Sequence, residues 1–273
     1  MKKKGLFISI IIVIALIALT VYNALAINPH DIKVREETLH SSKISEEMDG
    51  LLIAYFCDLH YGKNIKEADV DGIVSRINDF DPDIIIFGGD LLSTENSADS
   101  GHLREALSSL KGPLGKYAVP GDEDVYNEES LNILRESGFE ILSNVNKKIY
   151  VNGSFLNIVG VDPKIKGTPD TVSAYEGVNG ANYTIVITHC PDLSDQLDSE
   201  RSDYILSGHS LGGPVYFPLI NYFYRPEGAD RYYKGKTYVG NARLDISNGV
   251  GTINKDIRLF ADAEIVLYKL SCD

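Results

Sequence analysis

The chain has 273 residues, 44% of them apolar, which suits one α/β domain or two small ones with a proper core. Its 26 basic and 39 acidic residues give a formal charge of −13, and the absence of a basic stripe excludes a nucleic-acid-binding surface. Three scattered cysteines, Cys57, Cys190 and Cys272, do not indicate a disulfide framework, and they lack the spacing of a thiolate zinc site.

The first predicted element is an apolar helix. Three lysines at positions 2–4 precede an uncharged run, residues 5–27, that is long enough to span a bilayer. Lysines before such a run stay in the cytoplasm, which predicts a single-pass protein of the cell membrane with its domain outside the cytoplasm. An Ala-Leu-Ala motif ending at Ala26 resembles a signal-cleavage site, and cleavage there would give a secreted protein. Length favours the uncleaved anchor.

Two further regions follow the predicted anchor or signal segment, residues 1–27. Residues 28–49 are polar and lack a clear period, which indicates a stalk with room for one edge strand at its end. Residues 50–273 have the pattern of a folded domain. Without the three N-terminal lysines the chain has 23 basic and 39 acidic residues, which gives a formal charge of −16. Bound cations would neutralise part of that charge.

Strand and helix patterns alternate through residues 50–273. Continuous apolar runs predict strands buried on both faces. Apolar residues at helical spacing predict helices around Val70–Ile77, Leu103–Leu110 and Glu128–Ser137. The predicted strands, in chain order, are LLIAYFC, DIIIFG, KYAV, SFLNIVGV, YTIVIT, DYILSG and AEIVLYKL. The alternation predicts one layered α/β domain with helices flanking sheets.

Acidic and imidazole side chains follow five of these strands. Open α/β sheets build their sites at the carboxyl ends of strands, so we expect these side chains to meet. A surface turn, a helix cap or a satisfied core histidine explains any one of them but not five together. Carboxylates and imidazoles without thiolates suit Mn²⁺, Fe or Zn²⁺. The residues are Asp58 and His60, Asp90, Asp122 and Glu123, His189, and His209.

The motifs DLH, GGD, GDED, ITH and GHSL resemble those of the calcineurin-like metallophosphoesterase family over residues 51–270. The family pattern is D-x-H, G-D, G-N-H-D or G-N-H-E, a lone His, and G-H-x-H, and the combination is far more specific than any one motif. The segment NGVGTINKDIRLFADAEIVLYKL further resembles the membrane-anchored or exported phosphodiesterase branch. The resemblance implies a two-sheet α/β sandwich flanked by helices.

The resemblance also implies two divalent metal ions, Mn, Fe or Zn. Two ions that share a carboxylate activate water and stabilise both the attacking and the leaving oxygen of a phosphate. Asp122 stands where the family has a ligating Asn, and it adds a negative charge. The implied ligands are Asp58 and His60 for the first ion, Asp90 as the bridge, His189 and His209 for the second ion, and Asp122.

Three residues depart from the family pattern. Glu123 replaces a histidine that donates a proton or stabilises charge on the phosphate, Leu211 replaces the last histidine of G-H-x-H, and Pro214 replaces a frequent Gln. The first ion keeps three protein ligands, a workable count for a catalytic metal, and we expect weakened binding there. Glu123 is the candidate catalytic residue, either as an acid of raised pKa or as a replacement metal ligand. We take the second role, in which Glu123 binds the first metal ion in place of the missing histidine, as the hypothesis.

These observations predict a metal-dependent phosphodiesterase or phosphomonoesterase in which a metal-bound hydroxide attacks the phosphoester. The alternative is a catalytically degenerate binding module at the cell surface, since two family histidines are lost. The substrate is open, and a phospholipid headgroup or a cell-envelope precursor would be compatible. Arg225 and Arg231 lie in an aromatic segment, residues 216–233, and are candidates for contact with a headgroup, although simple packing is the favoured interpretation of the segment.

Overall fold

The structure is a computed structural model that describes residues 2–93, 99–217, 221–222, 225–253 and 255–272. Helix α1, Lys2–Tyr22, continues into a π-helical turn, Asn23–Ile27. The segment Lys4–Ile27 has a mean hydropathy of 2.8 over its most apolar window and is long and apolar enough to cross a membrane. The remaining helices are α2 (Glu67–Asp79), α3 (Ser100–Ser108), α4 (Glu128–Glu136) and α5 (Thr171–Ala174), with short 3₁₀ turns at Glu46–Met48 and Pro191–Gln196.

The strands of the described residues form two six-stranded sheets and a short ribbon. In chain order they are β1 (Lys33–His40), β2 (Leu52–Phe56), β3 (Ile84–Phe87), β4 (Lys116–Ala118), β5 (Phe139–Ile141), β6 (Val145–Val151), β7 (Ser154–Val161), β8 (Thr184–Thr188), β9 (Tyr204–Ser207), β10 (Tyr216–Phe217), β11 (Asn221–Tyr222), β12 (Gly235–Val239), β13 (Ala242–Ile246) and β14 (Glu264–Ser271).

Both large sheets are mixed. The first has the order β1-β14-β2-β3-β4-β5, in which β14 runs antiparallel to β2 and the other neighbours are parallel. The second has the order β12-β13-β9-β8-β7-β6, in which both edge pairs are antiparallel and the central pairs parallel. The parallel centres, β2-β3-β4 and β7-β8-β9, direct their carboxyl ends toward one region.

The two sheets pack face to face, and helices cover their outer faces. Ile53 and Tyr55 of β2 contact the second sheet in a shared core, whereas Ala54 and Phe56 face α2 and α3 on the other side. Because successive strand residues point to opposite faces, burial of both faces requires an uninterrupted apolar run. A smaller core lies between the second sheet and α5. The predicted two-sheet α/β sandwich flanked by helices is confirmed.

The segment predicted as a polar stalk contributes a strand to this domain. β1 pairs in parallel with β14 along its whole length, from Lys33 opposite Glu264 to His40 opposite Ser271. Its side chains are mostly exposed, as expected of an edge strand, and so its sequence carries little apolar signal. Arg35 joins the sheets by donating hydrogen bonds to Asp245 of β13 and Glu264 of β14.

Candidate metal centre

The predicted ligands follow strands β2, β3, β4, β8 and β9, and several have an unusual backbone. Asp58, His60, Asp90 and His209 have φ angles of 55°, 46°, 60° and 66°, in the left-handed region that residues other than glycine seldom adopt. Such conformations cost free energy and concentrate at functional sites, where the surrounding structure enforces them. Here they turn four side chains off the strand ends toward one point.

Glycines allow the loops to approach closely enough for this. A Cβ atom at Gly89, which has a φ of 99°, would lie 2.5 Å from the amide nitrogen of Gly121 and 2.9 Å from Nδ1 of His189. A Cβ at Gly121 would lie 2.2 Å from Oδ1 of Asp90. Any larger residue at either position would therefore separate the loop that carries Asp90 from the loop that carries Asp122.

The six predicted ligands, together with Cys190, form three groups, and within each group the potential ligand atoms lie within 4.8 Å of one another. Asp90 belongs to two of these groups, and His209 also belongs to two. The five carboxylate and imidazole groups other than that of His209 are buried. The groups are Asp58, His60 and Asp90; Asp90, His189 and His209; and Asp122, Cys190 and His209.

The imidazoles of the second group are oriented as metal ligands. Nδ1 of His189 donates to the carbonyl oxygen of Gly88 at 2.8 Å, and Nε2 of His209 donates to that of Glu227 at 2.7 Å. The other two ring nitrogens, Nε2 of His189 and Nδ1 of His209, then face each other at 3.2 Å. With both imidazoles neutral their lone pairs would repel at this distance, so a proton or a metal cation has to lie between or beside them. A carbonyl partner on the opposite nitrogen is typical of metal-bound histidines.

The first group contains an unpartnered buried nitrogen. Nε2 of His60 has no hydrogen-bond partner and lies 3.8 Å from Oδ2 of Asp90. Both oxygens of Asp58 accept the backbone N–H of His209 at 3.1 Å, which connects this group to the loop after β9. An unpaired polar atom in a buried site is costly. The donor set of two carboxylates and one imidazole therefore fits a divalent ion.

The charges of the two groups point to the same need for a cation. Burial opposes the ionised form of Asp90, but His189, whose Nε2 lies 3.2 Å from Oδ2, holds the pKa of Asp90 below its usual value. Burial lowers the pKa of His189, and the charge of Asp90 outweighs that effect and raises it well above the ordinary value. Positive charge beside Asp90 is therefore strongly favoured in this site.

Asp124 is a buried carboxylate that the sequence did not single out as part of the centre. Its oxygens accept the backbone N–H groups of Asp90, Leu91 and Gly121 at 2.7, 3.0 and 2.9 Å. Burial, followed by the charge of Asp90, raises its pKa. Asp124 thus holds together the loops that carry Asp90 and Asp122. Its signal is the third consecutive acid of GDED, directly after a buried strand.

Cys190 also contributes to the centre. Alternation along a continued strand would point its thiol away from the ligands. In the structure Sγ donates to Oδ2 of Asp122 at 3.1 Å, because Cys190 lies beyond the end of β8 and begins a 3₁₀ turn. Burial, followed by the charge of Asp122, raises the pKa of the thiol. A protonated thiol acts here as a hydrogen-bond donor that orients Asp122.

Glu123 lies beside these groups but pairs with a lysine. Nζ of Lys166 donates to Oε1 of Glu123 at 2.8 Å, and the backbone N–H of Lys166 donates to Oδ1 of Asp122 at the same distance. The hydrogen bond to Glu123 raises the pKa of Lys166. Glu123 itself belongs to none of the three ligand groups of the described residues. The pair puts a cation beside the loop from which the family histidine is missing.

Leu211 and Pro214, two of the departures from the family pattern, place apolar side chains close to His209. Leu211 is buried and has a φ of 52°, a strained backbone for a branched side chain. Both residues line a cavity that begins at His209. A carbon side chain at position 211 supplies no ligand, so the first group keeps Asp58, His60 and Asp90.

The candidate headgroup arginines make contacts within the domain. Arg231 donates to Oδ2 of Asp195 at 2.8 Å, and Arg225 donates to the carbonyl of Asp230 and stacks on the ring of Tyr233. These contacts agree with the packing interpretation of the aromatic segment. Part of that segment, residues 218–220 and 223–224, lies outside the described residues.

A sequence model of the calcineurin-like phosphoesterase family matches residues 51–213, well over half of the chain and all six predicted ligands. The chain belongs to this family. Calcineurin-like phosphoesterases are metal-dependent hydrolases, and the ligand groups around Asp90 fit that chemistry. The predicted family and its metal-binding character are confirmed.

Similar proteins extend the likeness beyond the matched domain. The metallophosphoesterase YkuE of Bacillus subtilis is 25% identical over 253 residues, 89% of this chain and 87% of its own. The metallophosphoesterase Cj0846 of Campylobacter jejuni is 27% identical over 98% of this chain and 72% of its own. A Danio rerio protein named as a transmembrane protein with a metallophosphoesterase domain is 28% identical over 68% of this chain and 46% of its own.

A solved structure supports the fold. The NAD nucleotidase NadN of Haemophilus influenzae superposes with a TM-score of 0.50 at 14% identity. The match covers 73% of this chain and 45% of that enzyme, so this chain spans less than half of its length. At this identity the likeness concerns the fold alone.

Proposed function

We propose that the protein hydrolyses a phosphodiester or phosphomonoester at two divalent ions held by these calcineurin-like motifs. The observation that carries the proposal is the position of Asp90, whose carboxylate belongs both to the group with Asp58 and His60 and to the group with His189 and His209. A carboxylate shared in this way is what a two-metal hydrolytic site requires. Asp122 would complete the ligand set of the second ion, because its Oδ2 lies 3.6 Å from Nδ1 of His209.

When bound, the two ions would lower the pKa of a water molecule and neutralise charge on the phosphate. Hydrolysis would form a bond from a water oxygen to phosphorus and break the bond from phosphorus to the leaving oxygen, which would keep the electron pair. The proton that the water loses would pass to the leaving oxygen or to solvent. The side chains around the centre orient this exchange. Asp124 fixes the two central loops, and the carbonyls of Gly88 and Glu227 fix the two imidazoles.

Glu123 and Lys166 together would take over part of the role of the missing loop histidine. A carboxylate alone would repel an anionic phosphate. The Lys166 ammonium, held by Glu123 at 2.8 Å and partly exposed, supplies positive charge next to Asp122. Glu123 is therefore proposed as the residue that positions Lys166 rather than as a metal ligand. General-acid or electrostatic groups in this place contribute about 10²–10⁴-fold to the rate.

The two metal positions would differ in strength. The second group has Asp90, His189 and His209, with Asp122 close to His209. The first group has three ligands, because Leu211 supplies none, and it would exchange its ion more readily. Imidazole and carboxylate ligands suit Mn²⁺, Fe and Zn²⁺. The weak position is also the observation that favours the second candidate function, a metal-binding module at the cell surface without turnover.

The domain would work outside the cytoplasm, held by an uncleaved anchor at residues 1–27. Three lysines before the apolar run support this orientation. Ala24, the first residue of the Ala-Leu-Ala motif, is buried, and its carbonyl accepts the backbone N–H of Arg258 at 2.9 Å. That contact supports retention of the anchor. Phosphoesters at the membrane surface, such as phospholipid headgroups or cell-envelope precursors, are the proposed substrates.

The test uses the full chain in detergent micelles with Mn²⁺ and bis(4-nitrophenyl) phosphate, beside an Asp90→Asn variant. Turnover that falls to background in the variant, together with loss of bound metal by elemental analysis, would support the proposal. Asp71→Asn is the matched control, because Asp71 is an exposed carboxylate on α2 that pairs with His102. Metal retention without turnover of phosphodiesters and phosphomonoesters across Mn²⁺, Fe²⁺ and Zn²⁺ would favour the binding module.

A further inference from the structure

An apolar cavity opens directly beside the proposed metal centre. It has a volume of about 280 Å³ and begins at His209. Sites of this size hold small molecules or part of a larger one. Its apolar lining consists of Leu211, Pro214, Pro226, Ile253 and Ile257. A nucleotide or sugar phosphate would place polar groups against this lining, whereas a hydrocarbon chain would match it.

The loss of a metal ligand and the gain of apolar lining come from the same residue. Leu211 is almost fully buried and lines the cavity two residues after His209. Its left-handed backbone is strained for a leucine, and strain of this kind persists only where the surroundings enforce it. The surrounding structure therefore holds the side chain of Leu211 in the wall of the cavity.

Part of the cavity wall belongs to a loop that is hydrogen-bonded to the end of the N-terminal apolar helix. Ile253 and Ile257 belong to the loop after β13, and Arg258 of the same loop donates its backbone N–H to the carbonyl of Ala24 at 2.9 Å. Nδ2 of Asn28 donates to the carbonyl of Arg258 at 3.0 Å. The cavity thus lies at the end of the domain where the apolar helix emerges.

The same loop connects the cavity with the metal centre. The backbone N–H of Gly251 donates to the carbonyl of Asp58 at 2.8 Å, and Arg258, which is buried, donates to the carbonyls of Asn248 and Gly249. Lys255 also lines the cavity and adds positive charge near its apolar wall. One end of the site therefore suits a phosphate and the other a hydrocarbon.

We infer that the substrate is an amphiphile of the bilayer, whose phosphoester lies at the metal centre while the first part of its hydrocarbon chain occupies the cavity beside His209. This inference rests on the proposed hydrolysis and specifies its substrate class. The cavity shields the chain from water while the headgroup is lifted out of the bilayer. A soluble phosphoester would bind the centre but leave the cavity to water.

The first measurement compares two diesters with the same leaving group, methyl and dodecyl 4-nitrophenyl phosphate, using the full chain in phosphatidylcholine nanodiscs. We expect kcat/KM to be at least about tenfold higher for the dodecyl diester, because each methylene group that is buried in the cavity should raise kcat/KM roughly fourfold. Ile253→Gln should reduce this preference at least fivefold. Val145→Gln is the matched control, because Val145 is similarly exposed, at 45% against 40%, and lies on edge strand β6.

A second measurement does not depend on turnover. The chain contains no tryptophan, so Ile253→Trp introduces a single fluorescent reporter into the cavity wall. A brominated dodecyl phosphate in the nanodisc should quench this reporter more strongly than the brominated alcohol of the same length. The alcohol measures simple proximity to the bilayer. With Val145→Trp the two compounds should be indistinguishable.

The outcomes separate the inference from the function on which it rests. Hydrolysis of both diesters without a chain preference, together with equal quenching by phosphate and alcohol, would overturn the inference and leave the hydrolase intact. Phosphate-selective quenching without hydrolysis of either diester would support the cavity and count against the hydrolase. If Ile253→Gln left the preference for the dodecyl diester unchanged and no phosphate-selective quenching were found, the preference would come from partitioning of this diester into the bilayer. That result would also overturn the inference.

Discussion

Nζ of Lys166 and Oε1 of Glu123 lie 2.8 Å apart, beside a backbone hydrogen bond from Lys166 to Asp122 of equal length. A residue on the loop after β7 is thereby fastened to the loop after β4. We expect Lys166→Met to lower kcat by roughly 10²-fold, because a positive charge beside the phosphate is lost. Metal content should not change, since Lys166 belongs to none of the three ligand groups of the described residues. Steady-state kinetics and elemental analysis measure the two quantities.

The matched control for Lys166 is Lys147→Met. Lys147 forms a surface pair with Glu140, also at 2.8 Å, and the exposed fraction of its side chain is almost the same. Surface ion pairs contribute little to stability, so any common effect of removing such a pair should be small in both variants. Equal kcat in Lys166→Met and Lys147→Met would refute a role for Lys166 in the reaction.

Asp124→Asn should weaken metal binding without removing a ligand. The carboxylate accepts three backbone N–H groups, and an amide can replace only part of that arrangement. We expect metal affinity to fall about 10–100-fold, as is typical for groups that orient ligands. The free energy of unfolding should fall by about 1–3 kcal/mol. Calorimetric metal titration and chemical denaturation test the two effects.

Asp170→Asn serves as the comparison for Asp124. Asp170 also accepts backbone N–H groups, from Val172 and Ser173, but it caps the short helix α5 at the surface. Its replacement should cost at most about 1 kcal/mol and leave metal affinity unchanged. If Asp124→Asn bound metal as tightly as Asp170→Asn, the proposed positioning role would be wrong.

Leu211→His should strengthen the weaker metal position. Histidine tolerates a left-handed backbone better than leucine does, so the existing φ of 52° favours the change. A fourth protein ligand should raise the affinity of the first ion at least tenfold, measured as a second binding step in calorimetric titration. Leu211→Ala changes the volume without adding a ligand and should show no such gain. Equal affinities in the two variants would mean that position 211 does not reach the first ion.

Arg258→Met should destabilise both the loop after β13 and the metal centre. The guanidinium is fully buried and donates to the carbonyls of Ala261, Asn248, Gly249 and Gly251. Burial lowers its pKa to about 10, opposed by the charge of Asp58, so the group stays charged at neutral pH. Unpartnered carbonyls should cost about 3–5 kcal/mol in the free energy of unfolding.

Chemical denaturation followed by circular dichroism measures that cost. Arg135→Met is the control, because Arg135 is half exposed on α4 and its pair with Glu128 lies at the surface. It should change stability by no more than about 0.5 kcal/mol. A loss below 1 kcal/mol for Arg258→Met would show that the loop does not depend on this side chain.

Part of the fold could be predicted because its signals are local. The runs that became β2, β3, β8 and β9 are continuously apolar, which indicates burial on both faces before any partner is known. The edge strands β1, β6 and β12 were less visible, since most of their side chains are exposed or half-buried and many of them are polar. Their place in the sheets depends on partners far along the chain, such as β14 for β1.

The sequence by itself determined the ligand types, the order of the motifs and the altered positions Glu123 and Leu211, because each is a residue at a recognisable place after a strand. Only the tertiary structure decided what those residues contact. Lys166 meets Glu123 across 43 residues, and Arg258 meets the end of the N-terminal apolar helix across more than 200. Contacts between distant segments leave no periodic trace in sequence, since they arise from how the sheets and loops pack.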